Sequence, residues 1–281
     1  VAELIAKTTK VHGKTVRYYR TRSNGKEPIL ILHGFMSDAT GLKKFADSLR
    51  TDRPIIIPDL PGFGESECPD KNDGLKSYVG WLDDFLKHID AAPSTIIGYS
   101  FGAYIAVMYT ALFNKSKNAK LILITPVVKI NWQVRLYGRG FRLMALKNAR
   151  FAERLWLLQH DMTTRYLWRN RHPSSRNDLM ARRREELVYL QPELVLRLFS
   201  EFLELNFLTY AKKLKTPTVI VTAANDNVAV ASATRSFAEM IKAPVLVMKL
   251  AHAGHLLPIE EPTILAAALK GHISSGDNEG V

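Results

Sequence analysis

Residues 96–104 read Ile-Ile-Gly-Tyr-Ser-Phe-Gly-Ala-Tyr, and within them Gly98 and Gly102 flank Ser100 two positions away on either side. A hydroxyl is a weak nucleophile at neutral pH, so a serine that attacks a carbonyl needs a base within hydrogen-bond reach and a carboxylate to orient that base. Presented on a sharp turn between a strand and a helix, such a serine has positive or strained backbone angles, and flanking glycines remove the Cβ atoms that would collide there. The chemistry implied is acyl transfer. Taken alone, the pattern equally describes a strand end whose serine caps the next helix. Its surroundings favour the chemical reading: Ser94–Ile97 reads as a short buried strand and 101–113 as an apolar helix.

A base and an acid are expected just past other strands, because functional loops leave the carboxyl ends of the strands in an open α/β sheet. His255 follows the last strand signal by five residues and stands after Gly254, which makes it the expected base; His252 in the same loop is its competitor among eight histidines. Asp226 lies four residues past Thr222, on the preceding strand, and is the expected acid, although Asn225-Asp226-Asn227 is also good turn chemistry by itself. The loop after Ile124 offers only Thr125 and Pro126, which favours Asp226. Asp59, in Asp-Leu-Pro-Gly-Phe-Gly, reads instead as a structural turn with its carboxylate held by backbone amides. The negative oxygen formed during acyl transfer requires donors. The expected pair is the Phe101 amide, directly after the nucleophile, and the Phe35 amide in His33-Gly34-Phe35.

Positioning these groups requires a frame, and the apolar runs describe one. Strands are expected over about 4–9, 15–19, 28–32, 54–57, 94–97, 120–124, 217–222 and 245–250. Continuous apolar strands such as Pro-Ile-Leu-Ile-Leu belong in a parallel sheet covered on both sides. Helical spacing marks 41–50, 75–89, 101–113, 232–241 and 262–269. From 127 to about 210 the strand signals vanish and amphipathic helical stretches rich in Arg and Trp take over. The expected architecture is therefore α/β: a mostly parallel eight-stranded sheet with helices on both faces, its core formed by residues 1–126 and 211–281 and interrupted by a helical cap at 127–210.

Size and composition are consistent with this frame. A chain of 281 residues with 47% hydrophobic and 23% charged residues can bury a large core. It contains no run of about 18 apolar residues, and its first residues lack the layout of a signal peptide, so the expected location is cytoplasmic. Cys68 is the single cysteine, which excludes an intramolecular disulfide and a multi-cysteine metal site. Glycine spacing at 13–15 and 62–67 fails both nucleotide-loop patterns, and no cofactor or metal is expected. The net charge of +12 is uneven: residues 127–190 hold 14 Lys and Arg against 5 Asp and Glu, supplying +9 of it. Solvated helix faces account for such a segment, and it also suits peripheral contact with an anionic membrane or an acidic partner; no nucleic-acid partner is expected. The polar stretch 274–281 is expected to be a disordered tail.

Taken together, Leu32-His33-Gly34-Phe35, Pro58-Asp59-Leu60-Pro61-Gly62-Phe63-Gly64-Glu65-Ser66, Gly98 to Gly102, Asn225-Asp226 and Gly254-His255 with Glu260-Glu261-Pro262 give a chain that resembles the α/β-hydrolase superfamily. The resemblance covers about residues 14–270 and is to the lid-bearing branch of esterases, lipases and carbon–carbon bond hydrolases. It implies Ser100 as nucleophile, His255 as base, Asp226 as acid and the Phe35 and Phe101 amides as oxyanion hole. A serine at the elbow argues against the dehalogenases and epoxide hydrolases of this fold. The loop Phe35-Met36-Ser37-Asp38 is poorer in glycine than is usual in carbon–carbon hydrolases. Within the cap, Trp132, Tyr137, Phe141, Trp156, Tyr166 and Trp168 are candidate walls of an apolar acyl pocket, or residues that bury the cap against the core. The expected activity is hydrolysis of small carboxylic esters with short or medium apolar acyl groups through an acyl-enzyme. Carbon–carbon bond hydrolysis, or ligand binding with little turnover, are the alternatives.

Overall fold

Eight short runs of aliphatic and β-branched residues pair into one sheet. A computed structural model describes residues 3–70, 73–113, 119–129, 136, 191–204, 207–251 and 253–273. The strands are β1 (Ile5–Val11), β2 (Lys14–Arg20), β3 (Ile29–Leu32), β4 (Ile55–Pro58), β5 (Thr95–Tyr99), β6 (Lys120–Ile124), β7 (Thr218–Ala223) and β8 (Val245–Leu250), in the spatial order β1-β2-β4-β3-β5-β6-β7-β8. β1 pairs antiparallel with β2 and β2 with β4, while every pair from β4 to β8 is parallel. His12 and Gly13, both at positive φ, close the β1–β2 hairpin.

The helices described are α1 (Lys43–Ser48), α2 (Ser77–His88), α3 (Phe101–Leu112), α4 (Pro192–Glu204), α5 (Leu208–Ala211), α6 (Ala231–Met240), α7 (Leu257–Glu260) and α8 (Pro262–Ile273). Alternation along the strands assigns them to two faces. Leu30, Leu32, Ile56, Ile96, Leu121 and Leu123 pack into one core with α2 to α6. Their neighbours Ile29, Ile31, Ile55, Ile57, Ile97, Ile122 and Ile124 pack into a second core with α1, α7 and α8. Strands β3, β4, β5 and β6 thus bury both of their faces, as their continuous apolar runs require, while the edge strand β8 leaves Leu246 and Val247 exposed.

The expected eight-stranded, mostly parallel sheet with helices on both faces is observed, with local differences. The helix expected over 41–50 divides into a 3-10 turn, Ala39–Leu42, followed by α1, because the Asp38 carboxylate caps that turn by accepting the Gly41 amide at 3.1 Å. α8 continues to Ile273, whose side chain is buried. The short helix α7 was not expected. The tail at 274–281 and most of the cap lie outside the described residues.

At the carboxyl ends of β3 and β4 two buried polar side chains lock the loops together. His33 Nδ1 bonds the Gly34 carbonyl at 2.8 Å, and its Nε2 accepts the Leu60 amide at 2.9 Å, so the ring is neutral and bridges two loops. Burial pulls the His33 imidazole down to about 4, against the raising effects of the Gly34 carbonyl and Asp38. Asp59 accepts the Ala39 amide at 2.7 Å and the Glu65 amide at 3.0 Å, the structural role its motif suggests. A Cβ on Gly64, which sits at φ +54°, would lie 2.8 Å from Asp59 Oδ1. At the amino ends of the strands the Arg53 guanidinium donates to Thr95 Oγ1, Ser94 Oγ and the carbonyls of Pro28 and Ile273.

The elbow itself depends on close backbone approach. A Cβ on Gly98 would stand 2.5 Å from Ala103 Cα, and one on Gly102 would stand 2.6 Å from the His33 carbonyl oxygen. Both obstacles are backbone atoms, so neither can move aside as a side chain would. Gly102→Ala is expected to destabilise the protein by about 3 kcal/mol, measured by urea unfolding; an unchanged midpoint would show that α3 can lift off β3 freely. His33 gives a second expectation. Its folded value lies below the value near 6.5 of an unfolded chain, so the unfolded state takes up the proton first and stability falls as pH drops from about 6.5 to about 4. The stability difference between the parent and His33→Asn should therefore shrink as pH falls across that range, and a constant difference would contradict the neutral buried ring.

Candidate active site

Ser100 occupies the turn between β5 and α3 at φ 51° and ψ −109°, a conformation that L residues rarely adopt. Its amide donates to the Ile124 carbonyl at 3.0 Å, and its carbonyl accepts the Ala103 amide at 3.1 Å. The turn is thereby tied to β6 on one side and to the first turn of α3 on the other. The strain is concentrated at one residue whose side chain is left to point at a partner. That partner is His255, whose Nε2 lies 2.9 Å from Ser100 Oγ.

His255 in turn meets Asp226. Its Nδ1 lies 3.1 Å from Oδ1 and 3.0 Å from Oδ2 of the carboxylate. With hydrogen on Nδ1, the imidazole donates to Asp226 and leaves Nε2 bare to accept the Ser100 hydroxyl proton. Both side chains are almost fully buried, at 7% and 8% exposure, so the pair interacts without much screening by water. Burial alone would raise the Asp226 carboxyl. The charge and hydrogen bond of His255, together with the Ala229 and Val228 amides, outweigh burial and hold it below the ordinary carboxylate range. Those two amides donate to Oδ1 at 3.0 and 2.8 Å, so the Asn-Asp-Asn turn and the buried anion are one structure.

The loop carrying His255 is fastened from three directions. The Asn225 amide donates to the Ala253 carbonyl at 2.9 Å, joining the acid loop to the base loop. Glu260 Oε2 accepts the Gly254 amide at 3.0 Å. The Thr125 hydroxyl donates to the His255 carbonyl at 3.1 Å. The competing His252 lies outside the described residues.

A cluster of aromatic rings forms around Phe101, the residue that follows the serine. Phe35, in the loop after β3, packs against Phe101 with ring centroids 5.4 Å apart, bringing together the two segments whose amides were expected to stabilise an oxyanion. Phe63 lies 5.8 Å from Phe35 and 6.1 Å from Phe101. From α4, Phe199 approaches Phe35 at 6.0 Å and Phe202 approaches Phe101 at 5.9 Å. Glu201, on the same helix, accepts the Leu75 amide at 2.6 Å and fastens α4 to the loop before α2. Sequence reasoning did not single out Phe199 and Phe202; the periodicity of α4 signalled an apolar face without saying what it meets. The six cap aromatics it did single out, Trp132, Tyr137, Phe141, Trp156, Tyr166 and Trp168, lie outside the described residues.

Among the described residues no group of His, Cys, Asp and Glu is arranged to hold a metal ion, and no helix is long and apolar enough to cross a membrane. Cys68 is partly buried, and burial pushes its thiol up, away from the reactive thiolate.

Comparison with known proteins agrees with the fold. The chain is 29% identical over 143 residues to the dihydrolipoyllysine-residue acetyltransferase component of the acetoin cleaving system of Pseudomonas putida, an alignment covering 50% of this chain and 38% of that protein. The chain therefore spans well under half the length of that relative. Among solved structures, MGS-M2, an alpha/beta hydrolase enzyme from a Medee basin deep-sea metagenome library, superposes with a TM-score of 0.78 at 19% identity, covering 98% of this chain and 99% of that one. A thermophilic esterase from Thermogutta terrifontis superposes with a TM-score of 0.74 at 20% identity, covering 97% and 98%. At such identities the likeness is one of fold. The family described as alpha/beta hydrolase fold matches residues 27–262, most of the chain, and this protein belongs to it.

Proposed function

We propose that the protein is a serine hydrolase of small carboxylic esters, with Ser100 as nucleophile, His255 as general base and acid, and Asp226 as the carboxylate that orients and stabilises the imidazole. The observation that carries this reading is the continuous hydrogen-bonded line from Ser100 Oγ to His255 Nε2 and from Nδ1 to Asp226. In the first half-reaction Ser100 Oγ attacks the ester carbonyl carbon while its proton passes to Nε2. The tetrahedral intermediate then collapses, the C–O bond to the alcohol breaks, and Nε2 returns the proton to the departing oxygen. Water, deprotonated by the same nitrogen, attacks the acyl-enzyme and releases the acid and free Ser100.

The negative oxygen of each intermediate is assigned to the Phe35 and Phe101 amides. The Phe101 amide opens α3, where the unpaired N–H groups and the helix dipole favour negative charge. Each such donor contributes about 3–4 kcal/mol in related sites. The acyl group is assigned to the surface formed by Phe35, Phe199 and Phe202, whose partial exposure and apolar character suit short or medium hydrocarbon chains better than charged ones. An esterase among the fold relatives is a precedent for ester chemistry on this scaffold. Residues 127–210 are assigned to a cap that completes the pocket, and the net positive charge of 127–190 to its outer surface or to an anionic membrane.

Ser100→Ala is expected to lose at least about a thousandfold in hydrolysis of p-nitrophenyl esters while remaining folded. Retention of parental turnover would remove the proposal. A series of p-nitrophenyl esters from acetate to decanoate is expected to peak at short or medium length, and Phe199→Ala to move the peak toward longer chains. A profile that ignores both chain length and the substitution would refute the assigned acyl surface. Parental activity on vinylogous diketones with none on esters would replace ester by carbon–carbon bond hydrolysis, and absence of turnover with tight ligand binding would favour a binding role.

A further inference from the structure

The carboxyl end of β6 contributes none of the three reacting side chains, yet it grips the backbone of two of them. The Ile124 carbonyl accepts the Ser100 amide at 3.0 Å, and the hydroxyl of the next residue, Thr125, donates to the His255 carbonyl at 3.1 Å. Two consecutive residues thus connect the nucleophile turn to the base loop. Among the described residues, the other backbone fastenings of that loop act on Ala253 and Gly254, which leaves the carbonyl of His255 itself to Thr125.

Thr125 is an unusual residue for its place. It is fully buried and has φ +42°, where a β-branched side chain is a genuine outlier and glycine or asparagine the unstrained choice. Its amide donates to the Val221 carbonyl at 2.7 Å, extending the β6–β7 ladder one residue beyond β6 before the chain turns away. Glycine would satisfy both the backbone angle and that ladder bond. What threonine adds is the hydroxyl on the His255 carbonyl.

We propose that Thr125 is a positioning residue that fixes the main chain of His255, and so holds Nε2 at hydrogen-bond distance from Ser100 Oγ. The proposal rests on the reading of Ser100 and His255 as nucleophile and base. Removing the hydroxyl would leave a buried carbonyl without its partner, and the loop would move to find another. A base displaced by a fraction of an ångström abstracts the Ser100 proton more slowly, while substrate still binds to the unchanged apolar surface.

The test uses the full chain with Thr125→Val, Thr125→Gly, Thr125→Ser and, as a control, Thr222→Val. Thr222 Oγ1 donates to the Met248 carbonyl at 3.1 Å, the same bond one strand away without contact to His255. Two quantities are read at a temperature where each variant is folded: the rate of Ser100 phosphonylation by a fluorophosphonate, and the downfield NMR signal of the Nδ1 proton shared with Asp226. Thr125→Val and Thr125→Gly are expected to react about tenfold more slowly, with KM for a p-nitrophenyl ester within about twofold and the proton signal broadened or lost. Thr125→Ser and Thr222→Val should match the parent in both. Glycine keeps the left-handed backbone without strain, so a folded but slow Thr125→Gly protein isolates positioning from stability should the valine variant not fold. Parental rate and an unchanged signal in Thr125→Gly would overturn the proposal. If the parent itself does not react, the nucleophile reading falls and the proton signal alone decides. Loss in Thr125→Gly with retention in Thr125→Ser upholds the positioning role, and no change overturns it.

Discussion

Everything at the site depends on one strained residue. Ser100 is held at φ 51° between a strand and a helix, and that conformation is available only because the neighbouring chain can approach without side chains in the way. Gly98 lies under Ala103, and Gly102 lies against the Leu32 and His33 carbonyls. The same close approach draws α3 onto β3 and β5, so the elbow and the central core form together. Packing of α3 supplies the compensation: Phe101, Ala103, Tyr104, Ile105 and Ala106 are all buried. An exposed serine would not require such a scaffold; a serine aimed at one imidazole does.

The relay shows how burial and hydrogen bonding divide the electrostatic work. Asp226 stays ionised in a buried place because two amides and His255 favour its charge. His33, equally buried but bonded only to backbone groups that suit a neutral ring, is kept from ionising. One histidine is therefore a brace between loops and the other joins a serine to a carboxylate, although both end near the carboxyl edge of the sheet. What separates them is the carboxylate beside one and its absence from the hydrogen bonds of the other.

Much of this was legible in the chain because the relevant physics is local. Parallel strands buried on both faces read as unbroken apolar runs, so β3, β4, β5 and β6 were recognisable within a residue or two. Glycine pairs marked the elbow, and the distance of Asp226 and His255 beyond strand ends placed them on one edge. The strand order was not readable, since it depends on which runs pair across long separations. Nor was the role of Thr125, which requires a backbone angle that its residue type disfavours. Phe199 and Phe202 announced an apolar helix face but not the rings it meets, about a hundred residues or more away in the chain. The 3-10 turn at Ala39–Leu42 arose from capping by Asp38, a bond that competes with simple helical spacing.

The central claim is that Ser100 itself becomes covalently acylated during ester cleavage. Rapid acid quench of the protein during turnover of a slow p-nitrophenyl ester, followed by peptide mass spectrometry, measures this directly. The expected result is a mass increase equal to the acyl group on the peptide containing Ser100, absent in Asp226→Asn quenched at the same early time. Turnover with no acylated peptide, or with the acyl group on another residue, would contradict it.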